Sequence, residues 1–422
     1  MSTYLLCATP IFGNVAPLVA IAARLVTSGN RVLFLTGSRF ASTVEATGAE
    51  FVALEGNADF DDRDPDSHLP DRLKYRGLAR AQYDIQTIFV KTIPDQFRAV
   101  RAILAEEHLE AILVDGTFAG VAPLLAEVIR PPIIAVGVTP LAQSSVDVAP
   151  MGMAMAPSSS ALGRLRNRAL NSLARSVLFR DTQKTGERMF AEVGGKPLEL
   201  FVMDLSSAFD TFLQLSTASF EYPRSDLAAN TSFVGPLPTV PGGAPLPEWW
   251  DDLDGSRPVV HVSQGTIDNR DLDRLIRPTL SALAGSEVLV VVSLGGGDPS
   301  TLGAIPANAR VASYLPYDLL LPRTDVFVTN GGYGGVQHAL GHGVPLVVAG
   351  GTEDKPEVAA RVAWSGVGID LRTGTPTPAA VRTAVERVLG DVSFTARARA
   401  MAAEIAEHNP FAAIERELTR PR

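Results

Sequence analysis

Two lobes, each a doubly wound parallel β-sheet with helices on both faces, are predicted by three features of this 422-residue sequence. The chain is too long for one ordinary hydrophobic core. Short apolar runs alternate with helical patterns, which is typical of a parallel α/β sheet. The alternation stops in residues 235–258, which contain six prolines, and then resumes. We therefore predict two α/β lobes joined by a linker, with the ligand site in the cleft between them.

The predicted first lobe begins with a β-strand at residues 4–8, which a turn at 9–14 joins to a helix at about 15–28. Each short apolar run that follows indicates a further strand of the same sheet. These strands are predicted at 32–36, 50–54, 111–115 and 132–138, with a helix at 120–129 before the last of them.

Two segments of the first lobe break this alternation, and the sequence leaves two interpretations open for each. Residues 57–71 are acidic and contain prolines, which indicates either a solvated surface loop or a mobile edge of a binding cleft. Residues 146–160 are rich in Met, Ala, Pro and Ser. Such a segment either fills gaps in a core or lines an adaptable apolar pocket.

The predicted second lobe repeats the pattern of strands and helices after the linker. Its strands are predicted at 259–262, 288–293, 310–312, 326–328 and 346–348, and its helices at 271–284, 378–389, 395–407 and 411–418. The predicted division is therefore a first lobe at 1–235, a linker at 236–257, a second lobe at 258–405, and a C-terminal helix at 406–422 that returns to the first lobe.

The composition excludes several classes of protein. A hydrophobic content of 46% with 20% charged residues indicates a globular chain with ample core. The formal charge of −9 argues against a nucleic-acid partner or a general membrane-surface binder. Because Cys7 is the single cysteine, no internal disulfide forms, and we expect a cytoplasmic protein. No apolar stretch reaches the length of a membrane span, so we expect no integral membrane association. A monomer or a homodimer is expected.

The segment at 325–349 predicts the kind of ligand. An apolar run ends at Asn330, and the glycine-rich sequence Gly331-Gly332-Tyr333-Gly334-Gly335 follows before a short helical pattern. Glycines allow a close approach of the backbone to a ligand, and the free N–H groups of a helix start favour an anion. The segment therefore predicts a phosphate site at the carboxyl end of a parallel strand.

This segment resembles the C-terminal signature of family 1 glycosyltransferases of the GT-B fold, whose two Rossmann-like lobes face each other across a cleft. Within that family it is most similar to the bacterial enzymes that decorate macrolides and other natural products. The matching residues are Gly331-Gly332, Gly334-Gly335, Gly343-Val344-Pro345, Asp354 and Ala359. Three more segments resemble family motifs, so that the resemblance spans both lobes: residues 12–17 (Gly-His-x-x-Pro), 263–266 (Ser-x-Gly-Thr) and 314–317 (Trp-x-Pro-Gln).

The resemblance implies inverting, metal-independent transfer of a sugar from a UDP- or dTDP-sugar to a lipophilic small molecule. Such an acceptor is a polyketide, a macrolide, an aromatic natural product or a glycolipid. The first lobe would bind the acceptor and the second lobe the nucleotide-sugar, which is a substrate, so no cofactor and no metal are expected. No Asp-x-Asp pair stands at the end of an apolar strand, which agrees with this expectation.

The resemblance also assigns roles to residues of the second lobe. Tyr314 would stack on the pyrimidine base, the backbone of Gly332 to Gly335 with Thr266 would hold the diphosphate, and Asp354 and Lys355 would hydrogen-bond sugar hydroxyls. The full donor-binding set is Gln264, Gly265, Thr266, Tyr314, Leu315, Asn330, Gly331, Gly332, Tyr333, Gly334, Gly335, His338, Asp354 and Lys355. A further glycine run at 295–297 favours a plain turn near the donor side.

The chain departs from the family at four positions. Asn330 replaces a diphosphate-contacting His, and still offers a hydrogen-bond donor. His338 replaces a ribose-binding Glu, and is open to a second interpretation as a helix-surface residue. Lys355 replaces a sugar-contacting Gln, which indicates either a donor other than glucose, such as a deoxysugar, or a solvated loop. The fourth position, Asn14, replaces the catalytic His.

Asn14 matters most because an amide does not titrate and cannot act as a base. Asp115 matches the Asp that holds the family's His. Three possibilities follow: Asp115 is the base while Asn14 orients the acceptor, another residue such as His68 is the base, or the acceptor is easily activated. The sequence favours Asp115, because both turns should meet at one sheet edge; a strand-end cap is the alternative for this residue. The predicted acceptor-binding set is Phe12, Gly13, His68, Met151 and Met153.

Two rival functions remain open at the level of sequence. The changes at Asn14 and Asn330 are compatible with a non-catalytic nucleotide-binding homologue that partners another transferase. A nucleotide-sugar epimerase or hydrolase also uses two such lobes, and would turn over the donor without an acceptor.

Overall fold

Two separate parallel sheets form the core of the protein in the computed structural model, which describes residues 1–239, 245–266 and 269–420. Residues 240–244 of the predicted linker lie outside this part of the chain. Within the described residues the predicted fold class, α/β with two doubly wound lobes, is confirmed.

The first sheet has seven strands in the order β3-β2-β1-β4-β5-β6-β7, and every neighbouring pair is parallel. The strands are β1 (Thr3–Cys7), β2 (Arg31–Thr36), β3 (Glu50–Ala53), β4 (Ala111–Asp115), β5 (Ile133–Gly137), β6 (Thr211–Gln214) and β7 (Thr231–Phe233).

The second sheet has six strands in the order β10-β9-β8-β11-β12-β13, again all parallel. The strands are β8 (Val259–Ser263), β9 (Leu289–Ser293), β10 (Ala309–Ala312), β11 (Val326–Thr329), β12 (Leu346–Val348) and β13 (Gly368–Asp370). The central strands of both sheets are fully buried and rich in Val, Ile and Leu, as expected for sheets covered on both faces.

Helices cover both faces of each sheet. In the first part of the chain these are α1 (Phe12–Thr27), α2 (Ala41–Glu45), α3 (Pro65–His68), α4 (Gly77–Ile85), α5 (Ile93–Glu106), α6 (Ala161–Leu173) and α7 (Arg180–Glu192). In the second part they are α8 (Ile276–Leu283), α9 (Tyr317–Leu320), α10 (Tyr333–Gly341), α11 (Lys355–Ser365), α12 (Pro378–Gly390), α13 (Val392–Ala406) and α14 (Pro410–Leu418). Among these helices of the described residues, none combines the length and the apolar character that a membrane span requires.

Two predicted helices differ from the structure. The helix predicted at 120–129 is a 3₁₀ segment, Ala119–Ala126, in which Pro123 cannot supply a backbone N–H. The helix predicted at 271–284 begins only at Ile276. Strands β6, β7 and β13 were not predicted, because their sequences, TFLQ, TSF and GID, mix polar residues or glycine with one or two apolar ones and form no apolar run.

Each sheet has a topological switch point at its centre, where consecutive connections leave in opposite directions. In the first sheet this point lies between β1 and β4, and in the second between β8 and β11. Ligands of such sheets bind at the carboxyl ends of the strands at this point. The two switch points therefore carry the segments that follow Cys7, Asp115, Ser263 and Thr329.

Buried contacts join the two lobes. Helix α14 follows the second lobe but packs Ile414 and Leu418 into the core of the first. Near the middle of the molecule, Arg361 of α11 forms ion pairs with Glu221 and Glu357, both at 2.9 Å, and all three side chains are buried. The lobes are thus connected by more than the linker.

Candidate active site

Asp115 lies at the first switch point, fully buried at the end of β4. Its Oδ1 accepts hydrogen bonds from Asn14 Nδ2 at 2.8 Å and from the backbone N–H of Thr117 at 2.7 Å. Its Oδ2 accepts from the backbone N–H of Thr9 at 2.6 Å. Burial raises the pKa of Asp115 above its ordinary value, and these hydrogen bonds oppose the rise.

Asn14 lies on the first turn of α1 and is 5% exposed. Its Nδ2 is occupied by Asp115 and by Thr117 Oγ1, the latter at 2.8 Å. Among the described residues no donor hydrogen-bonds to Asn14 Oδ1. The amide therefore presents an oxygen acceptor, which suits the hydroxyl or N–H of a substrate.

The geometry disfavours the role of direct base that the sequence favoured for Asp115. A general base must come within hydrogen-bond reach of the proton that it removes. Asp115 has no exposed surface, and both of its oxygens already accept hydrogen bonds. The arrangement fits a positioning role for Asp115, which fixes the Asn14 amide. The catalytic roles of both residues stay a prediction.

The acidic segment at 57–71 packs against the turn that carries Asn14. Asp62 Oδ2 accepts a hydrogen bond from the backbone N–H of Phe12 at 2.7 Å, and Arg39 forms an ion pair with Asp62. His68 stacks on Phe60 with 4.3 Å between ring centroids, and its Nε2 is buried without a hydrogen-bond partner among the described residues. Burial lowers the pKa of His68, which keeps the ring neutral near pH 7. The segment is therefore an edge of this site.

The methionine-rich segment at 146–160 reaches the second lobe. The backbone N–H groups of Gly152 and Ala154 donate to Glu357 Oε1 at 2.7 and 2.8 Å. Glu357 lies on α11, two residues after Lys355. The exposed fractions are 42% for Met153 and 39% for Phe12, and Gly13 is also exposed. Phe12 and Gly13 thus begin α1 and His68 ends α3, while Met151 and Met153 lie in the loop that contacts α11.

The second switch point is built from backbone rather than from charged side chains. Gly265 and Gly331 have positive φ angles of 75° and 89°. The side chain of Asn330 joins the two loops, because its Nδ2 donates to the carbonyl oxygen of Gln264 at 2.6 Å. Helix α10 then begins with Gly332 as its N-cap, and its first turn contains no acidic residue.

Open space adjoins this helix start. A Cβ atom built on Gly332 would lie 3.9 Å from its nearest neighbour, Asn330 Oδ1, and one on Gly334 would meet no atom within 4 Å. Gly331 differs, because its Cβ would lie 2.8 Å from Val348 Cγ1. Gly332 and Gly334 therefore leave room for a ligand, while Gly331 serves the packing of the lobe itself. The N–H of Gly332 donates to Asn330 Oδ1 at 3.3 Å, which leaves those of Tyr333, Gly334 and Gly335 at the start of the helix. These N–H groups and the open space suit an anion such as a diphosphate.

Three predicted donor-binding residues direct their side chains inward. Tyr333 is buried, and its hydroxyl donates to Glu221 at 3.1 Å and accepts from Gln214 at 2.9 Å. The amide oxygen of Gln264 accepts from backbone N–H groups at the start of α8, and Leu315 packs in a hydrophobic cluster. Only the backbones of these residues can contact a ligand.

Tyr314 is the aromatic side chain that the structure leaves accessible at this site, with 57% of its surface exposed. Gly296, with a φ of 101°, lies against its ring; a Cβ there would be 2.5 Å from the Tyr314 hydroxyl oxygen. Asn269 Nδ2 joins this glycine turn to the β8 loop through the carbonyl oxygens of Gly295 at 3.1 Å and Gly265 at 3.3 Å. The turn at 295–297 therefore holds Tyr314 beside the loop that follows β8.

The remaining donor-binding candidates are partly buried, and Thr266 is exposed. His338 packs edge-on to Tyr317 and lines a cavity of about 510 Å³ with Asp318 and His342. Burial lowers the pKa of His338 to about 4, so that its ring is neutral. Lys355 is 6% exposed and forms an ion pair with Glu353, while burial raises the pKa of Asp354 to about 6. His338 and Lys355 are thus not solvated surface residues.

No group of three or more His, Cys, Asp or Glu side chains with the geometry of a metal site occurs among the described residues. The expected absence of a metal stays a prediction. Sequence reasoning missed Thr9, Thr117, Arg39, Asp62 and Glu357. Thr9 and Thr117 each lie within two residues of the strand ends at the first switch point, and that position alone could have identified them.

Comparisons with known proteins give matches over most of the chain. Residues 277–418 match the model of the erythromycin biosynthesis protein CIII-like C-terminal domain. The chain is 39% identical over 405 residues to 4'-demethylrebeccamycin synthase of Lentzea aerocolonigenes, with 95% of each chain covered. It is 41% identical over 416 residues to UDP-glycosyltransferase 2 of Phaeomoniella chlamydospora, which covers 93% of this chain and 90% of that protein.

Solved structures share the fold. The glycosyltransferase of kitacinnamycin superposes with a TM-score of 0.72 at 21% identity, covering 99% of this chain and 98% of its own. A spinosyn rhamnosyltransferase in complex with thymidine diphosphate superposes with a TM-score of 0.65 at 18% identity, covering 99% and 100%. Fold, motif order and full-length similarity agree, and the chain belongs to the family 1 glycosyltransferases of the GT-B fold, of the macrolide and natural-product type.

Proposed function

We propose that this glycosyltransferase transfers a sugar from a UDP- or dTDP-sugar to a lipophilic small molecule, with inversion at the anomeric carbon and without a metal ion. The observation that carries this proposal is the open start of α10 beside exposed Tyr314. The name of the UDP-glycosyltransferase relative and the thymidine diphosphate complex of the spinosyn enzyme support the two donor series.

The donor half of the site supplies what a nucleoside diphosphate needs. Tyr314 offers an exposed ring on which a pyrimidine base stacks. The N–H groups of Tyr333, Gly334 and Gly335 and the dipole of α10 stabilise the negative charge that grows on the diphosphate as it leaves. These fixed dipoles take the place of a metal ion. Asp354 and Lys355 at the start of α11 are the candidates for hydrogen bonds to the sugar hydroxyls.

The acceptor half of the site orients the nucleophile. Asn14 Oδ1 accepts the hydrogen bond of the acceptor hydroxyl or N–H, and Asp115 holds the amide in place. The acceptor then attacks the anomeric carbon from the face opposite the diphosphate. The acceptor gives its proton to solvent water as it ionises, and the bond between the anomeric carbon and the diphosphate breaks with its electron pair on the diphosphate oxygen. The configuration at the anomeric carbon therefore inverts.

The chemistry of this turn favours an acceptor that loses its proton easily, such as a phenol. General base catalysis contributes about two to four orders of magnitude in rate. Asn14 does not titrate and Asp115 is fully buried, so neither supplies that factor. His68 is the alternative base that the sequence names, but its ring stacks on Phe60 and its Nε2 is buried, so it also lacks direct access to a substrate proton in this structure.

Contacts across the cleft exclude water from the reaction. Arg270 of the second lobe donates to the backbone carbonyl oxygen of Arg63 in the acidic segment. Glu357 accepts from the methionine-rich segment on another side. An enclosed site limits hydrolysis of the donor. Buried and unpaired Cys7 agrees with a cytoplasmic location for the enzyme.

The test is a product assay in the presence of EDTA, in which UDP- and dTDP-sugars are paired with phenolic, indolic and aliphatic alcohol acceptors. We expect transfer to the phenols in preference to the indoles and aliphatic alcohols, with the anomeric configuration opposite to that of the donor by NMR. Retention of configuration, or activity that EDTA removes and Mg²⁺ restores, would contradict the proposal. Without an acceptor, release of nucleoside diphosphate at full rate would identify a hydrolase, and conversion of the donor into an epimeric nucleotide-sugar would identify an epimerase.

A further inference from the structure

Helix α6 has the opposite burial pattern from the one expected of a helix on a protein surface. It buries Gly163 and Asn167 against the protein, and it exposes three leucines. The exposed fractions are 80% for Leu162, 63% for Leu165 and 45% for Leu173. A helix normally turns its large apolar residues to the core. The π-helical turn that continues α6 shows the same burial pattern, because the small Ala174 is buried and the larger Val177 is 60% exposed.

Arginines flank the exposed leucines. At 3.6 residues per turn, Leu162, Leu165 and Leu173 share one face of α6. Arg168 and Arg175 border this face on one side, and Arg166 borders it on the other. Of the five arginines between residues 148 and 180, only Arg164 forms an ion pair with a carboxylate within the described part of the chain.

The charge of this region contrasts with that of the whole protein. Residues 148–180 contain five arginines and no Asp, Glu or Lys. Because the chain carries a formal charge of −9, the rest of the molecule carries −9 − 5 = −14. Arg166 donates to Asn167 Oδ1 at 2.9 and 3.1 Å, and Arg175 donates to the backbone carbonyl oxygen of Glu199 at 3.4 Å, but these neutral acceptors leave the charge of both arginines uncompensated. A surface that combines such arginines with exposed leucines is complementary to an anionic, apolar layer. The sequence analysis argued against membrane-surface binding from the net charge of the whole chain. That net charge does not reveal the local basic face of residues 148–180.

A second segment with exposed leucines adjoins the end of this region. Residues 72–80, RLKYRGLAR, carry four basic residues and no acidic one, of which Arg72 pairs with Asp84 and Lys74 with Asp71. Leu73 is 76% and Leu78 48% exposed. Gln82 of α4 donates to the backbone carbonyl oxygen of Leu178, and Gln86 donates to Thr182 Oγ1 at 3.0 Å. These contacts fix α4 beside the C-terminal continuation of α6.

We propose that α6 is a docking helix for an anionic lipid surface, with its leucines in the acyl boundary and its arginines at the headgroups. A second copy of the chain is a poorer occupant. A symmetric dimer through this face would place the arginines of one copy against those of the other. The acidic remainder of the surface would be repelled by the lipid, which orients the protein with α6 toward it.

The docking helix is coupled to the candidate acceptor segment. Asn167 Nδ2 donates to the carbonyl oxygen of Val146 at 3.1 Å, and Asn171 Nδ2 donates to those of Ser145 and Val148 at 3.0 and 3.1 Å. The small residue Gly163 permits close contact with Ser158, whose Oγ would be 2.1 Å from a Cβ built there. Lipid docking would thus bring the methionine-rich border of the cleft to the layer in which a lipophilic acceptor dissolves.

The test is co-sedimentation of the full chain with vesicles of phosphatidylglycerol and phosphatidylcholine in equal parts, compared with phosphatidylcholine alone. We expect binding to the anionic vesicles only, and its loss at about 1 M salt, where the Debye length is about 3 Å. Arg166→Gln, Arg168→Gln and Arg175→Gln should each weaken binding by about fivefold. The double variant Leu165→Glu/Leu173→Glu should weaken it by at least about tenfold.

Matched controls separate docking from general charge and folding effects. Val392→Glu introduces the same charge at an apolar residue that is 81% exposed on α13, and Arg382→Gln removes a basic residue from α12; neither should change vesicle binding. All variants should melt within a few degrees of the wild type, because the changed side chains are exposed. Vesicle binding requires no catalysis, so its outcome is independent of the proposed transfer reaction.

Three results would overturn the proposal. One is the absence of vesicle binding by the wild type, and another is equal binding to phosphatidylcholine alone. The third is a dimer in sedimentation velocity that Leu165→Glu/Leu173→Glu dissociates, which would assign the leucine face to a second copy of the chain.

Discussion

The two switch points of this protein occupy equivalent places in their sheets but have opposite electrostatic character. At the first, between β1 and β4, a buried carboxylate gathers the available donors: Asp115 accepts from Thr9, Asn14 and Thr117. At the second, between β8 and β11, glycines leave backbone N–H groups exposed, and the first turn of the following helix has no acidic residue. Strand order decides where each site lies, and the loop residues decide which charge it accepts.

The helices that begin at the two switch points show the same difference. Helix α1 has no capping side chain of its own, but Asp62, fifty residues along the chain, accepts from its first N–H at Phe12. Helix α10 has neither a local nor a distant carboxylate on its first turn among the described residues. A protein carboxylate therefore occupies the anion position at α1, whereas the position at α10 is left for a diphosphate.

The largest effect is expected from Asp115→Ala at the first switch point. The variant loses the acceptor that holds the Asn14 amide and leaves three buried donors unpaired, so transfer should fall by at least about a hundredfold. The affinity for UDP or dTDP in calorimetry should not change. Asp210→Ala is the control. Asp210 accepts from the backbone N–H of Ile133 at the amino-terminal ends of the strands of the same sheet, away from the switch point. Normal transfer by Asp115→Ala would remove this residue from the mechanism.

The next effect concerns the glycine-rich start of α10, residues 331–335, at the second switch point, which we call the glycine seat. Gly332→Val places side-chain atoms in space that the folded protein leaves open, so donor affinity should fall at least about tenfold while the melting temperature stays nearly constant. Gly341→Ala, at the other end of α10, also meets no atom within 4 Å and should leave affinity unchanged. Unchanged affinity in Gly332→Val would show that the diphosphate binds elsewhere.

A smaller effect is expected from Tyr314→Ala. Stacking of a base on an aromatic ring contributes about 1 to 3 kcal/mol, so nucleotide affinity should fall about tenfold. Tyr314→Trp should restore it. Leu319→Ala removes a side chain of similar exposure from the adjoining α9 and should have no effect. Equal affinities of Tyr314→Ala and the wild type for UDP would exclude stacking at this position.

The last effect concerns the pH dependence of stability. Because burial raises the pKa of Asp354 from 3.8 to about 6, the folded state binds more protons than the unfolded state between these values. Stability is therefore lost as the pH rises from about 4 to 6. Asp354→Asn removes this loss. In urea denaturation, the free energy of unfolding of the variant relative to the wild type should therefore be about 3 kcal/mol higher above pH 6 than at about pH 4. A difference that does not vary with pH would contradict the raised pKa.

Much of the fold was predictable because its central strands are long, buried apolar runs. The ends of β1, β4, β8 and β11 were predicted within about one residue, and these four ends define both switch points. The glycine seat was predictable for a related reason, since its function depends on backbone conformation that the residue types dictate. The short strands β6, β7 and β13 carried no comparable signal.

Contacts between distant segments were not predictable. Asp62 caps α1 across fifty residues, and Glu357 binds the methionine-rich segment across about two hundred. Such contacts depend on loop conformations that no local period encodes. The direction of a side chain was equally hidden: Tyr333 lies in the glycine motif, yet its hydroxyl bonds to Glu221 in the interior.

The most direct test of the central claim, that a nucleoside diphosphate binds at the start of α10, is calorimetric titration with UDP, dTDP, GDP and NAD in metal-free buffer. The expected result is selective binding of UDP or dTDP in the micromolar range, which Gly332→Val weakens and Asp115→Ala leaves unchanged. If none of the four nucleotides binds, or if Gly332→Val binds as the wild type does, the start of α10 is not the donor site.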